Sequence, residues 1–241
     1  MSKIPNSPEE IFAEFTADYQ QAFAGDLLSI FLYGSGAKGE YVPKKSDLNF
    51  LIILQENGIE NLDKAIPFIP KWRKRNVSVP LFLSEDYIRS SLDTFPIEFL
   101  SMKKHHKLVF GQDILTELQI DQKHLRLQAE RELRGKLLYL RAGFLSTGHD
   151  REALKEMISS SVTALSSIFE AVLDLKQCDL SDSTTGIFEK TADQFDLDKS
   201  VFGHIANVKR GEWRGSREQL QDLSKAYIKQ VRKLIAVVDK M

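Results

Sequence analysis

Two short apolar runs, separated by a polar segment that contains glycine, constrain the fold more than any other feature of this sequence. The runs span Leu27–Tyr33 and residues 48–54, and each is bounded by polar or turn-forming residues. Apolar runs of this length between turn signals are typical of buried strands. The sequence therefore predicts two buried strands that a polar turn connects.

Other patterns around these strands predict helices and further strands. Residues 7–24 begin with a capping-box pattern and then carry an aromatic or aliphatic residue every fourth position, which predicts a helix with one apolar face. Residues 59–75 have a helical composition but contain two prolines, so we expect a broken helix. Ser84 is a candidate cap for a short helix, and further strands are predicted at residues 77–83, 96–100 and 108–110.

The second half of the chain changes to a helical period. From His124 onward apolar residues recur at steps of three and four, as in Leu133, Leu137 and Leu140. The predicted fold class is α+β: a small mixed β-sheet domain with flanking helices at residues 1–115, followed by an all-α helical bundle at residues 116–241.

Composition and charge exclude several classes of protein. Hydrophobic residues at 42% and charged residues at 28% are ordinary for a globular chain, so a disordered or fibrous protein is excluded. The 33 Lys and Arg nearly balance the 34 Asp and Glu, which argues against an extensive nucleic-acid surface. The single cysteine excludes a disulfide within the chain. Because no apolar run approaches the roughly 20 residues of a membrane helix, we expect a cytoplasmic protein with no membrane partner.

The polar segment between the two apolar runs contains candidate functional residues. It begins with Gly34, Ser35 and, three residues further on, Lys38. Gly34 allows the backbone to approach a phosphate, and the Ser35 hydroxyl and nearby amides suit an anion. Lys38 follows the turn closely enough to meet a triphosphate, although loop lysines are commonly only solvated. This segment is therefore a candidate phosphate cradle.

Two polar residues open the second apolar run. Asp47 and Asn49 are two positions apart, so in a strand they point to one face, whereas Leu48 and Phe50 point into the core. A carboxylate and an amide oxygen beside a phosphate cradle form a candidate Mg²⁺ site, because magnesium prefers a few protein oxygens together with phosphate oxygens.

The spacing of Gly34-Ser35 and Asp47-Leu48-Asn49, with Asp47 twelve residues after the serine, resembles the signature of the DNA polymerase β-like nucleotidyltransferase superfamily. That signature is an apolar residue, Gly, Gly or Ser, a spacer, and Asp-x-Asp or Asp-x-Glu in an apolar strand. The resemblance covers about residues 25–112. The helical second half is similar to the organisation of the minimal and aminoglycoside-type members.

The resemblance implies a reaction and a set of site residues. Two Mg²⁺ ions would bind a nucleoside triphosphate, and a nucleoside monophosphate would pass to a small molecule, a protein or an RNA end. The family has a third carboxylate on a later strand, and residues 96–100 are similar to that strand. The implied catalytic residues are Asp47 and Glu98, the implied metal ligands are Asp47, Asn49 and Glu98, and the implied nucleotide-binding residues are Gly34, Ser35 and Lys38.

One departure from the family pattern leaves other functions open. Asn49 stands where the family has a second carboxylate, and its neutral amide should weaken the metal site. A catalytically inactive relative that binds a nucleotide or a partner as a regulator is the alternative. A third possibility is an interaction module that uses an exposed apolar patch on the helices. The sequence is compatible with a homodimer.

Overall fold

The computed structural model describes residues 4–178 and 183–241. As the sequence predicts, the fold is α+β: a four-stranded sheet with flanking helices is followed by a helical second half. The chain divides into two compact units. The first unit comprises Met1–Asp93 and Phe99–Ile120, and the second comprises Thr94–Glu98 and Asp121–Met241.

The first unit contains the whole sheet. Its strands are β1 Leu27–Tyr33, β2 Asn49–Leu54, β3 Leu81–Leu83 and β4 His106–Gly111. Its helices are α1 Phe12–Phe23, α2 Glu56–Glu60, α3 Ile69–Arg73 and α4 Glu85–Ser90, with 3₁₀ turns at Pro8–Ile11, Ala24–Asp26, Gly34–Gly36 and Leu62–Phe68. The predicted strands at 27–33 and 48–54 and the broken helix around the two prolines are confirmed.

Strand pairing places the end of β1 beside the start of β2. The strand order is β3-β2-β1-β4, in which β1 is antiparallel to β2 and β4, and β3 is parallel to β2. The register of β1 and β2 pairs Tyr33 with Asn49 and Leu27 with Leu54. Because Gly34 follows Tyr33 directly, the candidate phosphate cradle lies next to Asn49, the first residue of β2.

Apolar side chains cover both faces of the sheet. On one face the predicted apolar stripe of α1, which includes Phe15 and Tyr19, packs with Leu48 and Phe50. On the other face Leu51 and Ile53 pack with side chains that include Ile88, Phe99 and Met102. The alternation along β2 thus follows the prediction, since Leu48 and Phe50 are both fully buried.

The predicted strand at residues 96–100 was wrong, because these residues begin helix α5, Pro96–Lys104. Phe99 and Met102, three positions apart, lie on one face of this helix and pack into the core of the first unit. A short apolar run does not distinguish a strand from a buried helical turn, and proline is well tolerated at the start of a helix.

Strand β3 is shorter than the predicted strand at residues 77–83. Only Leu81–Leu83 pair continuously with β2, and Val77 makes an isolated bridge to Leu48. Pro80 has no N–H to donate to a sheet ladder, so pairing cannot run through it. Ser78 and Val79, between the bridge and β3, line the recess described below.

The second unit is a set of helices with its own core. They are α6 Gln122–Ser146, α7 Arg151–Leu175, α8 Thr184–Gln194, α9 Lys199–Arg210 and α10 Arg217–Val238. The predicted stripe of Leu133, Leu137 and Leu140 is buried. Helix α7 is long and apolar enough to cross a membrane by length and composition, but 56% of its most apolar window is buried, as in a core helix.

Helix α6 also exposes apolar side chains. Leu138, Tyr139 and Leu145 are all more than half exposed. Tyr139 borders an apolar groove of about 480 Å³ whose other wall includes Met157 and Ala164 of α7. Nothing in the structure tests the homodimer with which the sequence is compatible.

Candidate active site

The turn after β1 requires glycine at position 34. Gly34 has a φ of +72°, and its carbonyl accepts hydrogen bonds from the amides of Ala37 at 3.0 Å and Lys38 at 3.1 Å. A Cβ atom at position 34 would lie 3.3 Å from the Asn49 side-chain nitrogen. Both the backbone conformation and the close approach to Asn49 therefore disfavour a larger residue.

Asp47 and Asn49 flank a buried, hydrogen-bonded residue. The Leu48 amide donates to the Asn76 carbonyl at 2.8 Å, and the Leu48 carbonyl accepts from the Ser78 amide at 3.0 Å. Because Leu48 points into the core, alternation directs Asp47 and Asn49 to the opposite face. Asp47 is exposed, and Asn49 is half-buried beside Gly34.

Asp47 lines a recess of about 310 Å³ in the first unit. Arg73, at the end of α3, contributes a cation to the same recess, and Ser78 contributes a hydroxyl. The other lining residues are Asn76, Val77 and Val79. The recess thus combines one anionic side chain, one cationic side chain, two neutral polar side chains and two valines.

Asn76 adopts a left-handed conformation that shapes the recess. Its φ is +57°, a conformation that asparagine tolerates better than most residues do. The turn is closed by the Asn76 amide, which donates to the Arg73 carbonyl at 3.1 Å, and by the Val77 amide, which donates to the Trp72 carbonyl at 3.1 Å. This turn connects Arg73 to the segment that bonds Leu48.

Ser35 and Lys38 lie on the turn that follows Gly34. Both are half-buried, and the Ser35 carbonyl accepts the Glu40 amide at 3.0 Å. The structure therefore groups Gly34, Ser35 and Lys38 on one turn, and the pairing of β1 with β2 places that turn next to Asn49. Their role as nucleotide-binding residues stays a prediction.

Glu98 lies on α5, within the segment of that helix that belongs to the second unit. Its carboxylate is exposed and accepts a hydrogen bond of 2.8 Å from the side-chain nitrogen of Gln128 on α6. Gln128 is buried, and its side-chain oxygen accepts the Ile97 amide, also at 2.8 Å. Asp47 belongs to the first unit, so the role of Glu98 as a third metal ligand stays a prediction.

The donors around the recess fit one Mg²⁺ ion better than two. Asp47 offers a single carboxylate and Asn49 a neutral amide, and Ser78, from the chain beside them, offers only a hydroxyl. Within residues 4–178 and 183–241 no three His, Cys, Asp or Glu side chains are grouped so that they could hold a metal ion. One ion that takes its remaining ligands from phosphate and water suits these donors.

The charge of Asp47 acts on a neighbouring tyrosine. Burial, together with the charges of Glu10 and Asp47, raises the pKa of Tyr41. The Tyr41 hydroxyl donates to the Pro5 carbonyl at 3.0 Å. The tyrosine is therefore neutral at physiological pH and ties the segment before Asp47 to the N-terminal residues.

Reasoning from the sequence missed Arg73, Asn76 and Ser78 as residues around Asp47. Arg73 belongs to a run of basic residues in a broken helix, a pattern typical of a solvated surface. Ser78 occurs in a segment predicted as an ordinary strand. Only the pairing of Leu48 with Val77 brings these residues to Asp47, and no local pattern predicts that register.

These features define a class of fold. A sheet in the order β3-β2-β1-β4, with Gly-Ser after the first strand and an acidic residue before the second, precedes a helical unit. A particular solved structure shares it: spectinomycin adenyltransferase AAD(9) from Enterococcus faecialis, determined with ATP and spectinomycin. The similarity has a TM-score of 0.57 and covers 95% of this chain and 99% of that chain.

The sequences of the two proteins are far apart, at 11% identity, so the likeness concerns the fold. No protein-family model matches the chain. No curated protein matches it either.

Proposed function

We propose that this chain is a Mg²⁺-dependent nucleotidyltransferase that transfers a nucleoside monophosphate from a nucleoside triphosphate to a small-molecule acceptor, at a rate that Asn49 limits. The observation that carries this proposal is the juxtaposition of the Gly34 turn with Asn49, next to Asp47 and its recess. A small-molecule acceptor is favoured because the structurally similar AAD(9) was determined with ATP and spectinomycin.

In the proposed reaction an acceptor hydroxyl oxygen bonds to the α-phosphorus and the bond to the departing pyrophosphate breaks. The hydroxyl proton passes to a carboxylate, for which Asp47 and Glu98 are the candidates. The Gly34 turn gives the phosphates close access to backbone amides, and the half-buried Lys38 adds a positive charge to the same turn. Mg²⁺, when bound, would neutralise phosphate charge and polarise the attacking hydroxyl.

Asn49 has a specific effect in this scheme. An amide supplies one neutral acceptor oxygen where a carboxylate supplies two charged oxygens, so its attraction for a cation is weaker. Asn49 is half-buried beside the turn, where solvent screens charge less than at an exposed position. We therefore expect the substitution of this one side chain to change the affinity for the Mg²⁺-nucleotide complex.

A second candidate function is binding of a nucleotide without transfer, as in a regulatory protein. Asn49 is the observation that favours it, because this neutral amide lies beside the Gly34 turn and Asp47 is the one carboxylate that lines the recess. Such a protein would bind the nucleotide with one ion and release no pyrophosphate.

Substitution of Asn49 by aspartate separates these functions. We expect Asn49→Asp to bind Mg²⁺-ATP about tenfold more tightly than the wild type, since a charged ligand adds about 1.4 kcal/mol. We also expect faster pyrophosphate release with spectinomycin as a test acceptor. Isothermal titration calorimetry measures the affinity, and a coupled phosphate assay measures the release.

Gln55→Glu is the matched control, because it adds the same charge at the opposite end of β2, where Gln55 is exposed. It should change neither quantity. If Asn49→Asp binds more tightly and still releases no pyrophosphate, the second candidate function is correct. If the wild type binds no Mg²⁺-ATP at all, the nucleotide-based proposals are both wrong.

A further inference from the structure

Opposite charges line the recess without pairing with each other. Asp47 and Arg73 both contribute to its wall, yet no ion pair joins them. Within residues 4–178 and 183–241, Arg73 has no ion-pair or side-chain hydrogen-bond partner. An exposed guanidinium and an exposed carboxylate that face one cavity from separate positions suit a ligand that carries both charges.

Two other cations of this segment are already neutralised. Lys71 contacts the carboxylates of Glu14 at 2.8 Å and Asp18 at 2.6 Å. Arg75 contacts Glu14 at 2.5 Å and also lies over the Trp72 ring. These pairs attach α3 and the turn after it to α1 and account structurally for Lys71 and Arg75. Among the described residues no such contact accounts for Arg73 or Lys74, and of these two only Arg73 lines the recess.

We propose that Arg73, with Asn76 and Ser78, forms a subsite that binds the phosphate groups of the nucleotide. This inference rests on the proposed function and adds the residues that recognise the phosphate chain. The planar guanidinium presents paired N–H donors that match phosphate oxygens, and the amide and hydroxyl supply neutral donors beside it. Asp47 lines the same recess and would hold the cation that accompanies those phosphates.

The size and composition of the recess agree with this ligand. About 310 Å³ lies at the lower end of the roughly 300–1,000 Å³ range of small-molecule sites, so the recess accommodates part of a nucleotide. Its one carboxylate is balanced by a guanidinium, which disfavours a polycationic acceptor at this position. A phosphate chain with its Mg²⁺ ion satisfies both charges at once.

The test compares ligands that differ in their phosphates. We expect Arg73→Gln to weaken binding of Mg²⁺-ATP and of magnesium tripolyphosphate about tenfold, and to leave AMP binding nearly unchanged. Arg73→Lys should restore part of the loss, because lysine keeps the charge and lacks the paired donors. Lys74→Gln is the matched control: Lys74 is the next residue, is exposed, and does not line the recess.

The possible outcomes distinguish the phosphate subsite from the proposed function on which it rests. A loss confined to Arg73→Gln and to the ligands with a phosphate chain supports the subsite. Equal ATP affinity in the wild type and Arg73→Gln overturns the subsite and leaves the proposed function standing. Equal losses in Arg73→Gln and Lys74→Gln also overturn it, because they indicate only general charge attraction. Absence of ATP binding by the wild type overturns both proposals. Since Arg73 is exposed, its substitution should leave the melting temperature unchanged.

Discussion

At position 34 both the positive φ and the close approach to Asn49 favour glycine. A comparison of Gly34 with Gly39 separates these two effects. Gly34 and Gly39 have φ values of +72° and +78°, but only at Gly34 would a Cβ atom meet Asn49. We expect Gly34→Ala and Gly39→Ala each to lower the free energy of unfolding by about 1–2 kcal/mol, the cost of a left-handed alanine. Only Gly34→Ala should weaken Mg²⁺-ATP binding, because only it displaces Asn49.

Urea unfolding measures the stability of both glycine variants, and calorimetric titration measures their affinity for Mg²⁺-ATP. Equal ATP affinity in the two variants would contradict a nucleotide site at this turn. Equal losses of affinity in both would indicate that strain anywhere between β1 and β2 disturbs the site.

The sequence predicts which residues of the candidate site lie close together when they are close in the chain. It does not predict the residues that strand pairing brings to the site. Gly34, Asp47 and Asn49 share one local pattern of strand, turn and strand, in which spacing alone determines the face of each side chain. Arg73 and Ser78 reach the recess because Leu48 bonds to Asn76 and Ser78, a long-range register. Long-range register depends on the packing of whole elements, which a single sequence does not display.

At the scale of elements, His106 on β4 is attached to the segment that follows the strand. Its Nδ1 is 2.8 Å from the Met102 carbonyl and its Nε2 is 3.0 Å from the Asp113 carboxylate. Asp113 also accepts hydrogen bonds from the amides of Leu115 and Thr116, which fixes the turn after β4.

The ionisation of Asp113 should make the free energy of unfolding depend on pH in the acidic range. Burial alone would raise its pKa, but the hydrogen bonds from His106 and Thr116 hold the pKa below the ordinary value of 3.8. A carboxyl with a lowered pKa in the folded state stabilises the protein above its unfolded pKa, and this contribution is lost as pH falls through the folded pKa. We expect Asp113→Asn to cost roughly 1 kcal/mol at pH 7, and this cost should disappear as pH falls through the folded pKa of Asp113, which lies below 3.8.

Urea unfolding as a function of pH tests this expectation. Asp63→Asn serves as the control, because Asp63 is exposed on the 3₁₀ turn Leu62–Phe68. A difference between Asp113→Asn and the wild type that stays constant down to pH 3 would show that the charge of Asp113 has no part in it.

The periodicity of the sequence predicted long elements better than short ones. In α1 an apolar residue recurs at every fourth position, and in α6 leucines recur at steps of three and four. Both patterns indicate a helix, because only a helix places those side chains on one face. Residues 96–100 allow two interpretations, a helix or a strand, because Phe99 and Leu100 could be buried on either. Gln128, which accepts the Ile97 amide, belongs to a distant helix and supplies a contact that local reasoning cannot include.

At the scale of the molecule, two separate cores predict two separate responses to mutation. Phe15 lies 4.0 Å from Phe50 and 4.9 Å from Trp72, measured between ring centroids, in the first unit. Phe169 lies 4.5 Å from Phe188 in the second unit. Each phenylalanine is fully buried, so replacement by alanine should cost about 3–5 kcal/mol in its own unit.

Hydrogen exchange of the native protein tests whether that cost stays within one unit. We expect Phe15→Ala to accelerate exchange in β1 and β2 and to leave α7 and α9 protected, and Phe169→Ala to do the reverse, because each unit has its own core. Equal acceleration throughout the chain in both variants would show that the two cores unfold as one cooperative body. Should an alanine variant fail to fold, Ile30→Val in the first unit and Ile205→Val in the second apply the same test, because losing one methyl group costs only about 0.5–1.5 kcal/mol.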